Sequence, residues 1–168
     1  AARAQTTDEW LALQALIEGD ATLTTALYSD GDIASADWDR WTELIVAAEH
    51  PDYGDAVSGG IVWSRLQGFA NSEGRRFVTT LFERGGWDTI NAAYTDPPRS
   101  TEHILHPNRY LDSPSPAAEP SGPSPVIVPA LDEKLGDGWE MLEEDTVGEF
   151  VIALYLTQAL TEDRARDV

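Results

Sequence analysis

The chain of 168 residues carries thirty acids against eleven bases, a formal charge of −19, and no cysteine. That charge repels nucleic-acid backbones and anionic lipid surfaces, and the composition excludes disulfides, thiolate metal sites and thiol nucleophiles. The length fits one domain, and the acidity fits a basic partner or a saline setting that screens like charges; salt adaptation is the preferred reading, and a GC-rich codon bias beneath a merely acidic surface is the alternative.

From Asp8 to Tyr28 the apolar residues Trp10, Leu13, Leu16, Ile17, Leu23 and Leu27 recur at helical spacing, and Asp8 is placed to cap the start. A second helix is expected after Asp37, with Trp38, Trp41, Leu44, Ile45 and Ala48 on one stripe. It must stop before Pro51, which leaves His50 at its C-terminal end, where a partly cationic ring suits the helix dipole. Residues 52–60 read as a loop, and the apolar stretch from Ile61 to Phe69 fits helix and strand alike. Ser72 can cap a helix carrying Phe77, Val78, Leu81 and Phe82, closed by Gly85-Gly86. Trp87, Ile90 and Tyr94 predict one or two further turns up to Asp96-Pro97-Pro98. Ser100 or Thr101 then starts a short helix that ends at Pro107.

Six prolines between Pro114 and Pro129 favour an extended, polyproline-like path, within which Val126-Ile127-Val128 could form one minor edge strand. Gly136 and Gly138 mark a turn. Thr146 and Glu149 form a capping-box pattern ahead of Phe150, Val151, Leu154 and Tyr155, so a C-terminal helix is expected to end near Leu160. The expected fold is mainly α: a helical region over 1–110, a Pro-rich linker or wrapping arm over 111–130, and a turn and helix over 131–168 that pack back on the same domain. No apolar run reaches the ~18 residues of a membrane span.

Between Trp10 and Tyr28 the only acids are Glu18 and Asp20, separated by Gly19 in an otherwise apolar or hydroxylic helix. Buried carboxylates are costly unless a cation, proton or metal compensates them. Residues two apart point about 200° apart on a helix, so the two should serve different partners. Glu18 could pair with a distant arginine such as Arg65 or Arg75 while Asp20 satisfies backbone or hydroxyl groups, or a carboxylate here could serve as a metal ligand or general base. Gly19 favours the second slightly, because a mid-helix glycine often marks a close approach.

Glu102-His103-Ile104-Leu105-His106 places two imidazoles at a helical spacing, which alone is an incomplete zinc site. His103 facing solvent and His106 bonding backbone before Pro107 is the plainer alternative. No His-Glu-x-x-His, Gly-x-Ser-x-Gly, Walker loop or Gly-x-Gly-x-x-Gly occurs. Trp10, Trp38, Trp41 and Trp87 fall at core periods, which favours core packing over a ligand groove.

Ala15-Leu16-Ile17-Glu18-Gly19-Asp20-Ala21, Glu83-Arg84-Gly85-Gly86-Trp87 and the stretch from Pro97-Pro98 through Ser100-Thr101-Glu102 to His106-Pro107 together resemble the C-terminal half of a family of prokaryotic surface proteins with a gluzincin-type, zinc-metallopeptidase-like domain. The likeness spans Asp8 to Tyr110, with a weaker echo in Trp139 to Leu156. It implies an extracytoplasmic, cell-surface location, with Glu18 as third zinc ligand and Asp20 as the carboxylate that orients a ligating histidine. It implies further that His106 contacts substrate or an oxyanion, and that His103 has no such role. The family's His-Glu-x-x-His lies upstream of the Glu-Gly-Asp helix and is absent from this chain. Zinc is therefore expected only if an N-terminal segment or partner polypeptide supplies that motif, and the chain alone is expected to be inactive. The second expectation is a noncatalytic structural or assembly subunit of a surface or membrane-associated complex, whose acidic face and proline arm bind neighbouring proteins.

Overall fold

The computed structural model describes residues 6–33, 60–112, 134–136, 138–140 and 144–159. The first helix, α1 (Thr7–Asp30), is opened by Thr6, whose hydroxyl accepts from the Glu9 N–H while the Glu9 carboxylate accepts from the Thr6 N–H, a reciprocal capping box. Asp8, expected to be the cap, is instead a residue of the first turn and is turned inward. At the other end Gly31 takes the left-handed conformation and donates its N–H to the Leu27 carbonyl.

The inner face of α1 is built from small side chains. Ala12, Ala15, Gly19, Thr22 and Ala26 repeat at steps of three and four and are all buried. They face α2 (Gly60–Thr95), and the approach is backbone to backbone. A Cβ on Gly19 would overlap the Gly74 carbonyl, and one on Gly74 would overlap the Ala15 carbonyl. Leu11, Leu16 and Leu23 flank this seam and pack with Phe69, Phe77, Val78 and Leu81 of α2, each large side chain contributing about 1.5–3 kcal/mol of burial.

The stretch from Ile61 to Phe69 is helical, and Ser72 does not start a helix but lies inside α2, returning its hydroxyl to the Gly68 carbonyl at 2.9 Å. The expected stop at Gly85-Gly86 is a break within α2: Gly86 adopts φ 65° and ψ −153°, a conformation essentially restricted to glycine. The limb beyond it, 87–95, turns Ile90 and Ala93 into the core and carries Tyr94 back to α1.

Ser100 caps the short α3 (Thr101–Leu105), and Pro107 opens α4 (Pro107–Asp112), where its missing N–H costs nothing. The Tyr110 hydroxyl ties α4 to the end of α2 by donating to the Asp96 carbonyl at 2.7 Å. The last helix, α5 (Glu149–Ala159), inserts Leu154 and stacks Phe150 against Phe69 with ring centroids 4.1 Å apart. Its first turn does not use Glu149 in the way the capping-box pattern predicts. The Phe150 N–H donates to the Thr101 hydroxyl at 3.2 Å, and the Glu149 carboxylate meets His106.

The fold is mainly α, as expected, and the described residues contain no strand. Leu111 and Asp112, the first residues assigned to the arm, belong to α4. The rest of the arm with its edge strand 126–128, and the expected helix 37–50 with Trp38, Trp41 and His50, lie outside the described residues. Trp10 and Trp87, expected in the core, stand half exposed, Trp87 with its ring edge-on to Phe82. Among the described residues no helix is long and apolar enough to cross a membrane.

Candidate functional site

Glu18 and Asp20 flank the outward face of α1, on opposite sides of a stripe formed by Trp10, Ile17, Ala21, Thr24 and Tyr28, since each residue advances the helix by about 100°. The stripe is open, with Trp10 50%, Ile17 40% and Tyr28 93% exposed. Asp20 has a defined role: Oδ2 accepts from the Tyr94 hydroxyl at 2.8 Å and Oδ1 from the Thr24 hydroxyl at 3.4 Å. Burial first, and the Asp20 carboxylate second, push the Tyr94 phenol up to about 12. Asp20 thus locks the second limb of α2 onto α1. Glu18 is half buried, and none of the ion pairs or side-chain hydrogen bonds among the described residues involves its carboxylate. The close approach that Gly19 signals is explained by Gly74.

The two histidines sit in contrasting surroundings. His103 is 1% exposed, its Nδ1 accepts from the Arg99 N–H at 3.2 Å, and its ring lies edge-on to Tyr110 with centroids 5.7 Å apart. This contradicts the reading of His103 as solvent-facing; it is a core residue. His106 ends α3, is exposed, and places Nε2 2.8 Å from Glu149 Oε1. It thereby joins α3 to the first residue of α5. Glu102 is ion-paired with Arg109 on α4.

A third carboxylate escaped the sequence reading. Asp8 is 1% exposed, and its Oδ1 accepts from both the N–H and the hydroxyl of Thr101, at 3.0 and 2.6 Å. Oδ2 finds no hydrogen-bond partner among the described residues. Gly148 lies so close that a Cβ there would overlap Asp8 Oδ1. Burial, reinforced by Glu9, pushes the Asp8 carboxyl above the usual range, against the opposing effects of the Thr101 bonds and of His103. Next door, Asp145 accepts from the Thr7 N–H at 2.8 Å, from the Thr7 hydroxyl and from the Thr146 N–H, bonds that hold its carboxyl below the usual range. The clue to Asp8 was its register: it falls four and seven residues before Ala12 and Ala15, on the buried seam.

No group of three histidine, aspartate or glutamate side chains converges among the described residues. Glu18 is therefore a single donor, and the described residues do not by themselves fit a zinc ion, which needs about three protein ligands even at a catalytic site. Compared with protein-family models, with curated proteins and with solved structures, the chain matches none significantly.

Proposed function

We propose that this chain is the helical C-terminal half of a metallopeptidase-like, extracytoplasmic surface protein, catalytically inert alone, that holds Glu18 ready for a zinc site whose histidines lie outside it. The observation that carries this reading is the outward face of α1. A helix lined with Trp10, Ile17 and Tyr28 on one side and a tight seam on the other carries apolar surface on two opposite sides, which is the pattern of a helix meant to be covered on both. Glu18 sits at the margin of the open side, without an ion pair among the described residues to explain its half-burial. The resemblance in Glu18-Gly19-Asp20 and in Pro97 to Pro107 supplies the chemical class. The Gly19–Gly74 approach and the Asp20–Tyr94 bond hold α1 rigidly, so a ligand mounted on it would be fixed without help from a loop. His106, braced by Glu149, is proposed as the polar group nearest the substrate side.

The assembly reading draws on the same open stripe, which would then bind a neighbouring subunit with no metal involved. Glu18→Gln separates the two. In the complete protein the substitution should lower zinc affinity at least tenfold, while thermal stability stays within about 0.5 kcal/mol because its carboxylate makes no bond among the described residues. Metal content measured by mass spectrometry decides: an unchanged content, or none in either form, favours assembly.

A further inference from the structure

We propose that the junction of Asp8, Thr101 and Gly148 is a proton-operated latch: a proton on Asp8 seats the C-terminal helix α5 against α1 and α3, and its loss loosens that seat. The geometry supplies the coupling. Asp8 Oδ1 holds the N–H and hydroxyl of Thr101, and the same hydroxyl accepts the Phe150 N–H from the first turn of α5. One carboxylate oxygen, one hydroxyl and one amide therefore link residues 93 and 49 positions apart in sequence. Gly148 packs so closely on Oδ1 that a Cβ there would overlap it, and Oδ2 has no hydrogen-bond partner among the described residues. A proton can sit on Oδ2 without breaking either Thr101 bond, whereas an ionised carboxylate at 1% exposure keeps an unsolvated charge.

The groups facing this junction sharpen its response. On α1, Glu9 opposes ionisation of Asp8, and from α3, His103 favours it. Glu102 of α3 is taken up by Arg109, and Glu149 at the head of α5 by His106. Asp145, in the approach to α5, is bound to Thr7 and works in the opposite sense. A buried carboxyl that binds its proton more tightly in the fold stabilises fully below the ordinary aspartate value near ~4, and that contribution is lost as pH rises through its own raised value. Asp145, shifted down, contributes above ~4 and loses its hold on acidification. The seat of α5 is therefore tightest in mildly acidic solution.

The test compares the full chain with Asp8→Asn, which removes the charge and keeps an oxygen for Thr101, in thermal unfolding and in amide exchange of residues 149–159 at pH 4 and 8 in high salt. The His106–Glu149 contact is present in both forms and cancels from the comparison. Between pH 4 and 8 the parent protein should lose about 2–4 °C more than Asp8→Asn for each unit by which the carboxyl is shifted. Protection of the α5 amides should fall about tenfold per unit in the parent alone. Parallel profiles in the two proteins would overturn the latch. Should Asp8→Asn not fold, the carbon-13 titration of Asp8 in the parent, with α5 protection followed alongside, gives the answer. A midpoint above the ordinary range that tracks loss of protection sustains the proposal, and a midpoint at or below it, or protection that does not follow it, overturns it.

Discussion

Gly74→Ala is expected to destabilise the protein by about 2–3 kcal/mol, although alanine is the better helix former by about 1 kcal/mol. The added methyl would overlap the Ala15 carbonyl, a backbone atom that cannot swing aside as a side-chain tip would. Relief requires α1 and α2 to separate, which opens the contacts of Leu16, Phe77 and Val78 along the same seam. Gly68→Ala supplies the control within the same helix, since a Cβ there meets nothing within 4 Å. It should stabilise by about 0.5–1 kcal/mol. Denaturant unfolding of the two variants measures the contrast, and equal effects would contradict the backbone-to-backbone approach that positions Glu18.

The second large effect separates the two histidines of α3. His103→Ala should cost about 2–4 kcal/mol, because it empties a buried site beneath Tyr110 and removes the acceptor of the Arg99 N–H. His106→Ala removes one exposed contact with Glu149 and should cost no more than about 1 kcal/mol. Unfolding midpoints report the stability order, and a larger loss at His106 would contradict the placement of these rings. The resemblance gives the opposite order for activity. On the proposed function, His106→Ala in the complete protein should reduce activity with little change in stability, whereas His103→Ala should act through stability.

The helical class was legible because apolar spacing and stop signals agree along most of the described chain. The breaks at Gly85-Gly86 and Pro97-Pro98 and the Ser100 cap are local chemistry, while the capping box of Thr6 and Glu9 was overlooked in favour of Asp8 as the cap. Which face of α1 points inward was harder to read. The seam is made by Ala12, Ala15 and Gly19, while the bulky Trp10 and Ile17 face out, so weighting the largest residues turns the helix the wrong way. His103 and Asp8 owe their burial to Tyr110, Thr101 and Gly148, and the link from Asp8 to Thr101 crosses 93 positions that no local pattern encodes. Glu18 was recognisable as an isolated acid on an apolar helix, yet the donors that would complete a zinc site are not among the described residues.

The central claim, that α1 presents Glu18 beneath a further polypeptide that brings the zinc-binding histidines, is tested most directly by the intact mass and metal content of the protein purified natively without chelator. The account predicts a copurifying polypeptide and about one zinc per complex, with the zinc lost in Glu18→Gln. A 168-residue chain that purifies alone, with neither metal nor partner, would contradict it.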